Sequence, residues 1–454
     1  MRLSARVHGR SFRFATVRDV LARASEPTAG DVAAGVAAAS HLERAAAKCV
    51  LAELTLADLR AHPVLPAAAD AVTRAVDAAV HEPSWAEIRD RTVGELRDWI
   101  LADTTSAEQV RRVGRALTGE MAAAVAKLSS NLDLTYAARR MPVATRARTT
   151  VGLRGRLATH LRASHPRDDP RGISATIFEG LAYGCGDALI GIDPSADDPA
   201  AVAALLGQVH DLITRLRLPT QSCVRASAAS QLRALEHGAP MDLFHHNLAG
   251  SEAALTALGT SLAALDDARA LVHERGTLRG TQVLCLAAGQ ATEARASADR
   301  TADLGTLAAR ALALARRYNP FLVETVTGAG PGALADGRQM IRAALEDHFV
   351  GKLLGVPLGA DACYTADGDT DHNDCDTLAG ALAAAGASTL AVAPGGVDAT
   401  SARQSPSFHD AAALRQTLGL RPAPEFEAWM VEHGLMADGR LTGRAGDPGL
   451  FMRG

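Results

Sequence analysis

The chain has few of the features that mark membrane, secreted or nucleic-acid-binding proteins. Only 4% of its 454 residues are aromatic, and its formal net charge is -4, with acids and bases spread along the chain. No apolar run approaches the ~18 residues that a membrane span needs, and no basic block with interleaved aromatics indicates nucleic-acid binding. We therefore expect a protein that contacts neither a membrane nor nucleic acid.

Cysteine is also scarce and scattered. The six cysteines are Cys49, Cys185, Cys223, Cys285, Cys363 and Cys375. No two of them form a CxxC motif, so neither a zinc site nor a disulfide framework is indicated. The N-terminal residues lack the apolar core of a secretory signal. These observations predict reduced, packed thiols in a cytoplasmic protein.

The chain is 48% hydrophobic, enough for a large core, and its apolar spacing changes once along its length. Residues 1–140 are predicted to be almost entirely helical, because apolar residues recur at helical spacing. From about Thr149, short β-type runs alternate with helical segments. The eight candidate strands are Thr149–Leu153, Ala188–Ile192, Thr220–Val224, Asp242–His246, Gln282–Leu286, Phe321–Val326, Leu354–Leu358 and Thr389–Ala393.

This alternation predicts a parallel sheet with crossover helices. Eight units over roughly 250 residues suit a closed (β/α)8 TIM barrel of the α/β class. We therefore predict a helical N-terminal domain (1–140), a barrel (141–435) and a C-terminal tail (436–454) that is a loop or an interaction segment. A doubly wound open sheet is the alternative, and the strand count alone does not remove it.

Polar residues that follow barrel strands line the active site of such folds. Applied to the candidate strands, this rule selects His160, Arg162, Asp193, His245, His246, Asn247 and Asp361. Asp361 is the strongest candidate, because a carboxylate there would hold the ammonium of a small amine or act as a general base on it. A helix cap or a structural ion pair is the alternative for Asp361, and a turn-starting cap is the alternative for Asp193, which precedes Pro194.

The adjacent pair His245–His246 is a poor metal site, because neighbouring strand residues point to opposite faces. A cofactor contact is the more plausible role for His246, and a packed structural histidine is the alternative.

Several sequence segments, in this order, resemble the large subunit of ethanolamine ammonia-lyase, an adenosylcobalamin-dependent radical enzyme. They are Glu179–Pro194, Pro219–Val224, Tyr318–Val323, Ile341–Phe349, Ser407–Asp410 and Leu420–Phe426. The similarity runs from about Val17 to Leu450. It implies a barrel that binds a vicinal amino alcohol, with adenosylcobalamin between this chain and a separate small subunit. It also implies that the cofactor keeps its own base on cobalt. The expected cofactor contacts are Pro194, which stands in the family-like framework beside Asp193, and His246.

The substrate pocket departs from the family pattern. By resemblance, Asp361 is kept, whereas His160 stands at an arginine position, Arg162 at a glutamine and Asp193 at an asparagine. A glutamate position is Ala287, and a phenylalanine position is Ala329.

The function implied is carbon–nitrogen lyase chemistry: deamination of ethanolamine to acetaldehyde and ammonia, or of a related substrate. Two alternatives stay open. One is an eliminase for a larger or anionic amino alcohol, and the other is a homologue that binds without turnover. The expected substrate-binding residues are His160, Arg162, Asp193 and Asp361. The expected location is the cytoplasm, free or within a bacterial microcompartment, as a hetero-oligomer with the small subunit.

Overall fold

The N-terminal part of the chain is a helical array that follows one β-hairpin. The computed structural model describes residues 1–296, 302–327, 334–365, 369–398 and 403–452. Strands β1 (Ser4–Val7) and β2 (Arg10–Arg13) form the antiparallel hairpin. The ten helices that follow are α1 (Val17–Ala24), α2 (Ala29–Ala33), α3 (His41–Glu53), α4 (Leu56–Ala61), α5 (Ala71–Ala78), α6 (Glu82–Ile88), α7 (Val93–Leu101), α8 (Ala107–Gly114), α9 (Gly119–Leu128) and α10 (Asn131–Arg140). The prediction of helix is confirmed except at this hairpin. The hairpin was not expected, because only the later segments were used to infer helical spacing.

Local side-chain chemistry explains where many of these helices begin. Thr16 accepts a hydrogen bond from Asp19 N, and the Asp19 side chain accepts one from Thr16 N, so the pair forms a capping box. Thr92 and Glu95 do the same at α7. No helix in the described part of the chain is long and apolar enough to cross a membrane.

The second part of the chain alternates strands and helices. A short antiparallel hairpin, β3 (Thr145–Arg146) and β4 (Thr150–Val151), leads into it. The barrel strands are β5 (Ala158–Arg162), β6 (Leu189–Ile192), β7 (Ser222–Val224), β8 (Leu243–Asn247), β9 (Leu284–Ala288), β10 (Leu322–Val326), β11 (Leu358–Asp361) and β12 (Thr389–Val392). The helices among them are α11 (Pro170–Ala182), α12 (Pro199–Arg215), α13 (Ala228–Glu236), α14 (Glu252–Ala257), α15 (Leu262–Arg275), α16 (Gln290–Ala296), α17 (Leu304–Tyr318), α18 (Gly337–Leu353) and α19 (His372–Ala384).

These eight parallel strands close into a barrel, because β12 pairs with β5. The prediction of a (β/α)8 barrel is therefore confirmed and the open sheet is wrong. Two predicted strands are misplaced. Thr149–Leu153 overlaps the entry hairpin, and the first barrel strand is Ala158–Arg162. The seventh strand begins at Leu358, where the predicted Leu354–Leu358 ends.

The C-terminal part packs against the barrel, where Arg415 Nε donates to Leu157 O just before β5. It contains a 3-10 turn (Pro394–Gly396), β13 (Val397–Asp398), β14 (Arg403–Gln404), α20 (Phe408–Leu418), α21 (Pro424–Glu432), β15 (Met436–Ala437), β16 (Arg440–Leu441) and α22 (Gly449–Met452). The expected loop-like tail thus holds a hairpin and a short helix. Phe451 of that helix lies against Phe178 of α11, with ring centroids 6.3 Å apart.

Buried ion pairs fasten the N-terminal helices to the barrel. Lys127 of α9 donates to Asp303 before α17 at 2.5 Å, and Arg310 of α17 donates to Asp70 at 2.7 Å and also to Glu120. Breaking such pairs is costly, because it leaves a buried charge without compensation. We propose residue 140 as the domain boundary, since helices give way to strands there.

A buried carboxylate of α18 predicts a pH-dependent stability. Asp347 accepts a hydrogen bond from Gln290 N at 2.9 Å, at the start of α16. Burial raises the pKa of Asp347 to about 7, against the lowering effect of that hydrogen bond. Because the folded pKa lies above the unfolded value of ~3.9, the native state holds this proton more tightly.

Stability should therefore fall as pH rises from about 4 to about 7, and Asp347→Asn should reduce this slope and stabilise the protein at pH 8. Some slope should remain, because burial and Asp303 raise the pKa of Asp31 to about 6. The measurement is the free energy of unfolding of both proteins at pH 5 and pH 8. Equal pH slopes in the two proteins would contradict this prediction.

Candidate active site

The strand register identifies which side chains point into the barrel. Arg162 is paired with Gly191 across β5 and β6, and Glu324 with Ala287 across β10 and β9. Arg162 of β5 and Asp361 of β11 are separated by β12, yet their side chains contact each other. Both side chains must therefore point into the barrel interior. Small residues such as Gly191 and Ala287 leave room there for the longer side chains.

Three acid–base pairs lie in the barrel interior, one joining the middles of β5 and β10 and two at the carboxyl ends of the strands. His160 Nδ1 is 2.5 Å from Glu324 Oε1, and Arg225 Nε is 2.7 Å from Asp193 Oδ1. The third pair is Arg162 Nη2, which donates to Asp361 Oδ2. His160, Glu324, Arg162 and Asp361 are at most 2% exposed. The interior is thus polar and charged at the end where barrels bind ligands.

Asp361 is held as a carboxylate. Burial alone would raise its pKa, but the charges of Arg162, Arg403 and Arg225 outweigh burial and hold the pKa of Asp361 below its usual range. Its Oδ1 atom is buried and has no hydrogen-bond partner among the described residues. A carboxylate with a depressed pKa is a poor base but a good partner for a cation. Asp361 is therefore suited to holding an ammonium group.

Arg162 and Arg225 remain charged in this setting. Burial opposes the charged guanidinium of Arg162, but Asp361, Asp193 and Glu324 raise its pKa above the usual value. The same balance holds for Arg225, where Asp193 is the main carboxylate that raises the pKa.

His160 reaches Glu324 because the positions between them are small. Gly359, paired with Glu324 on β11, has no side chain, and Ala391, paired with His160 on β12, has only a methyl group. On its other side the His160 ring lies over Gly191, where a Cβ atom would be 2.0 Å from Nε2. This Nε2 atom is buried without a hydrogen-bond partner in the described part of the chain.

The two adjacent histidines of β8 point to opposite faces, as predicted. His245 is paired with Cys285 and shares the interior face. Burial, together with the charges of Arg225 and other interior groups, holds the pKa of His245 well below its usual value, so it is neutral. His246 lies on the outer face, where its ring stacks on Phe244 at 6.0 Å and burial lowers its pKa to about 4.

The structure brings together the four residues predicted to bind the substrate, His160, Arg162, Asp193 and Asp361. His160 and Arg162 lie within β5 rather than after a strand, and Asp361 is the last residue of β11. Asp193 directly follows β6, as predicted. Pro194 comes next and is partly exposed, whereas His246 does not join the interior cluster. Ala287 lies in the interior beside Glu324, and Ala329 lies outside the described residues.

Sequence reasoning missed Arg225 and Glu324. Arg225 follows the predicted strand Thr220–Val224, so the strand-end rule could have found it. Glu324 was hidden inside a predicted strand, where a carboxylate looks like an outward-facing residue unless the interior parity is known.

Comparison with known proteins agrees with this geometry. The family described as ethanolamine ammonia lyase large subunit matches residues 12–444. The ethanolamine ammonia-lyase large subunits of Escherichia coli strain K12 and of Salmonella typhimurium are each 44% identical to the chain over 453 residues, spanning the full length of both proteins. The chain therefore belongs to the ethanolamine ammonia-lyase large subunit family.

Proposed function

We propose that this chain is the substrate-binding subunit of an adenosylcobalamin-dependent ammonia-lyase acting on a vicinal amino alcohol, with ethanolamine as the first candidate. The observation that carries the proposal is the buried Oδ1 atom of Asp361, which has no hydrogen-bond partner among the described residues. An ionised carboxylate with a free oxygen matches an ammonium group. The names of the full-length relatives support the same chemistry.

The interior residues divide between the two ends of such a substrate. Asp361 would accept hydrogen bonds from the ammonium, and Arg162 keeps Asp361 ionised. His160 Nε2 would contact the hydroxyl group. Asp193 and Arg225 balance each other's charge at the mouth. The closed barrel keeps bulk water away from these groups, which strengthens each electrostatic contact.

Adenosylcobalamin is broad and flat and needs an open face more than an enclosed pocket, so we propose that it lies across the mouth of the barrel. Pro194 follows β6 and is partly exposed, and Val397 follows β12 and is 47% exposed, so apolar side chains are available beyond the carboxyl ends of these strands. When bound, the cofactor would supply the radical that removes hydrogen from the hydroxyl-bearing carbon. Pro194 remains a proposed cofactor contact. The outward placement of His246 gives no direct support to the same role for that residue.

A small subunit is the proposed partner, because the relatives are named as large subunits. We propose that it covers the mouth, so that the cofactor lies between the two chains. The proposed location remains the cytoplasm or a microcompartment within it.

Cofactor binding gives a direct test. When adenosylcobalamin is titrated into the complex of this chain with its small subunit, the visible absorption of the cobalamin should change. The change should saturate at about one cobalamin per barrel. The small subunit alone and the large chain alone are the controls. The absence of any spectral change with both subunits present would contradict the proposed function.

A further inference from the structure

Glu324 has no role in the function proposed so far, yet it is one of the most deeply placed charges in the barrel. It is 1% exposed and points inward from the middle of β10. A buried carboxylate costs several kcal/mol unless a cation or hydrogen bonds compensate it. Its hydrogen-bond partner among the described residues is His160 Nδ1, at 2.5 Å. The contact spans β11 and β12, and small residues on both strands make it possible.

Glu324 fixes one of the two ring nitrogens of His160. Burial alone would raise the pKa of Glu324, but His160 and Arg162 lower it, so the side chain is a carboxylate that only accepts hydrogen bonds. Nδ1 of His160 must therefore carry a proton. Nε2 is left as the nitrogen that can interact with a ligand, and it is buried without a partner in the described residues.

The ring of His160 is also held by shape. Gly191 has no side chain at the point where His160 Nε2 lies, 2.0 Å from the position of a Cβ atom. Any larger residue at 191 would push the ring away from this place. Two independent features, one carboxylate and one glycine, thus place Nε2 in the interior that also holds Asp361.

We propose that Glu324 is a positioning residue that presents His160 Nε2 to the hydroxyl of the bound amino alcohol. This inference rests on the proposed function for its substrate class, but the hydrogen-bond arrangement of His160 can be measured without turnover. A His160 held in this way can donate from Nε2 when protonated and accept when neutral. Among the described residues, Glu324 and His245 are two titratable groups that interact electrostatically with His160.

The first test is kinetic. Glu324→Gln should lower kcat/KM for the amino alcohol about tenfold to 100-fold, the cost of weakening one charge-assisted hydrogen bond. Gly191→Ala should reproduce the loss in kcat/KM without changing any charge, and it replaces Glu324→Gln if that variant fails to fold.

The matched control is Glu120→Gln, which neutralises a buried carboxylate paired with Arg310 outside the barrel interior. It should leave kcat/KM nearly unchanged. An unchanged kcat/KM in Glu324→Gln, or an equal loss in Glu120→Gln, would overturn the proposal.

The second test uses histidine-selective ¹⁵N NMR of the complex, with His160→Asn to assign the signal. In the wild type, His160 should carry its proton on Nδ1, and added amino alcohol should shift the Nε2 signal. In Glu324→Gln or Gly191→Ala both properties should weaken. If the wild-type complex releases no ammonia, the proposed function fails. The protonation of His160 Nδ1 then still tests whether Glu324 positions the His160 ring. An Nδ1 proton that is independent of Glu324 overturns its positioning role.

Discussion

Asp361→Asn is expected to lower kcat/KM for amino alcohol deamination by ~10²-fold or more, while the barrel still folds. The substitution keeps the size of the side chain but removes the negative charge that would hold the ammonium. It also leaves Arg162 without its ionised partner, although Asp193 and Glu324 still lie close enough to raise the Arg162 pKa. We therefore expect a moderate loss of stability and a large loss of catalysis. Steady-state ammonia release and thermal unfolding measure the two effects separately.

Glu120→Gln is the control for Asp361→Asn, because Glu120 is also a buried carboxylate paired with an arginine. It should cost stability with little effect on kcat/KM. Wild-type kinetics in a folded Asp361→Asn protein would remove Asp361 from the site. A fall in melting temperature with no specific kinetic loss would support a purely structural ion pair.

The largest expected loss of stability follows from Asp187→Asn. Asp187 is fully buried and accepts hydrogen bonds from Thr159 N at 2.7 Å, from Ala423 N at 2.8 Å and from Arg415 Nη2 at 2.8 Å. It thus joins β5 to α20 and to the start of α21. An asparagine turns one acceptor into a donor that faces other donors, and Arg415 loses its counter-charge. We expect a loss of about 3 to 5 kcal/mol, as for other broken buried ion pairs.

Chemical denaturation of Asp187→Asn measures this effect. Asp410→Asn is a suitable control, because Asp410 lies on the same helix as Arg415, the partner of Asp187, but acts in a capping box with Ser407. That change should cost only about 1 kcal/mol. Equal losses in the two variants would contradict the role given to Asp187. Because β5 also carries His160 and Arg162, Asp187→Asn should weaken substrate binding as well.

Much of the fold could be predicted because the strands and helices alternate with clear spacing. The first strand was misplaced for a physical reason. Thr149–Leu153 has β-branched residues, whereas the true strand Ala158–Arg162 contains a histidine and an arginine that point into the barrel. A buried charge on a strand destabilises the fold unless an opposite charge lies nearby. The sequence does not show that Glu324 and Asp361, on other strands, pair with His160 and Arg162.

The candidate site could be predicted only in part. Asp193 and Asp361 were found because they lie at or just beyond strand ends. His160 and Glu324 could not be recognised as a pair, because they are 164 residues apart and meet only when the barrel closes. The choice between His245 and His246 depends on which strand face is the interior, and a shift of one residue reverses it.

We propose that this chain deaminates an amino alcohol with adenosylcobalamin. The most direct measurement is ammonia release from ethanolamine and from a panel of larger and anionic 2-amino alcohols, with purified chain, small subunit and adenosylcobalamin. We expect ammonia release that requires both the cofactor and the small subunit and that falls at least ~10²-fold in Asp361→Asn. No ammonia from any member of the panel, although the cofactor binds, would contradict it and favour a homologue that binds without turnover.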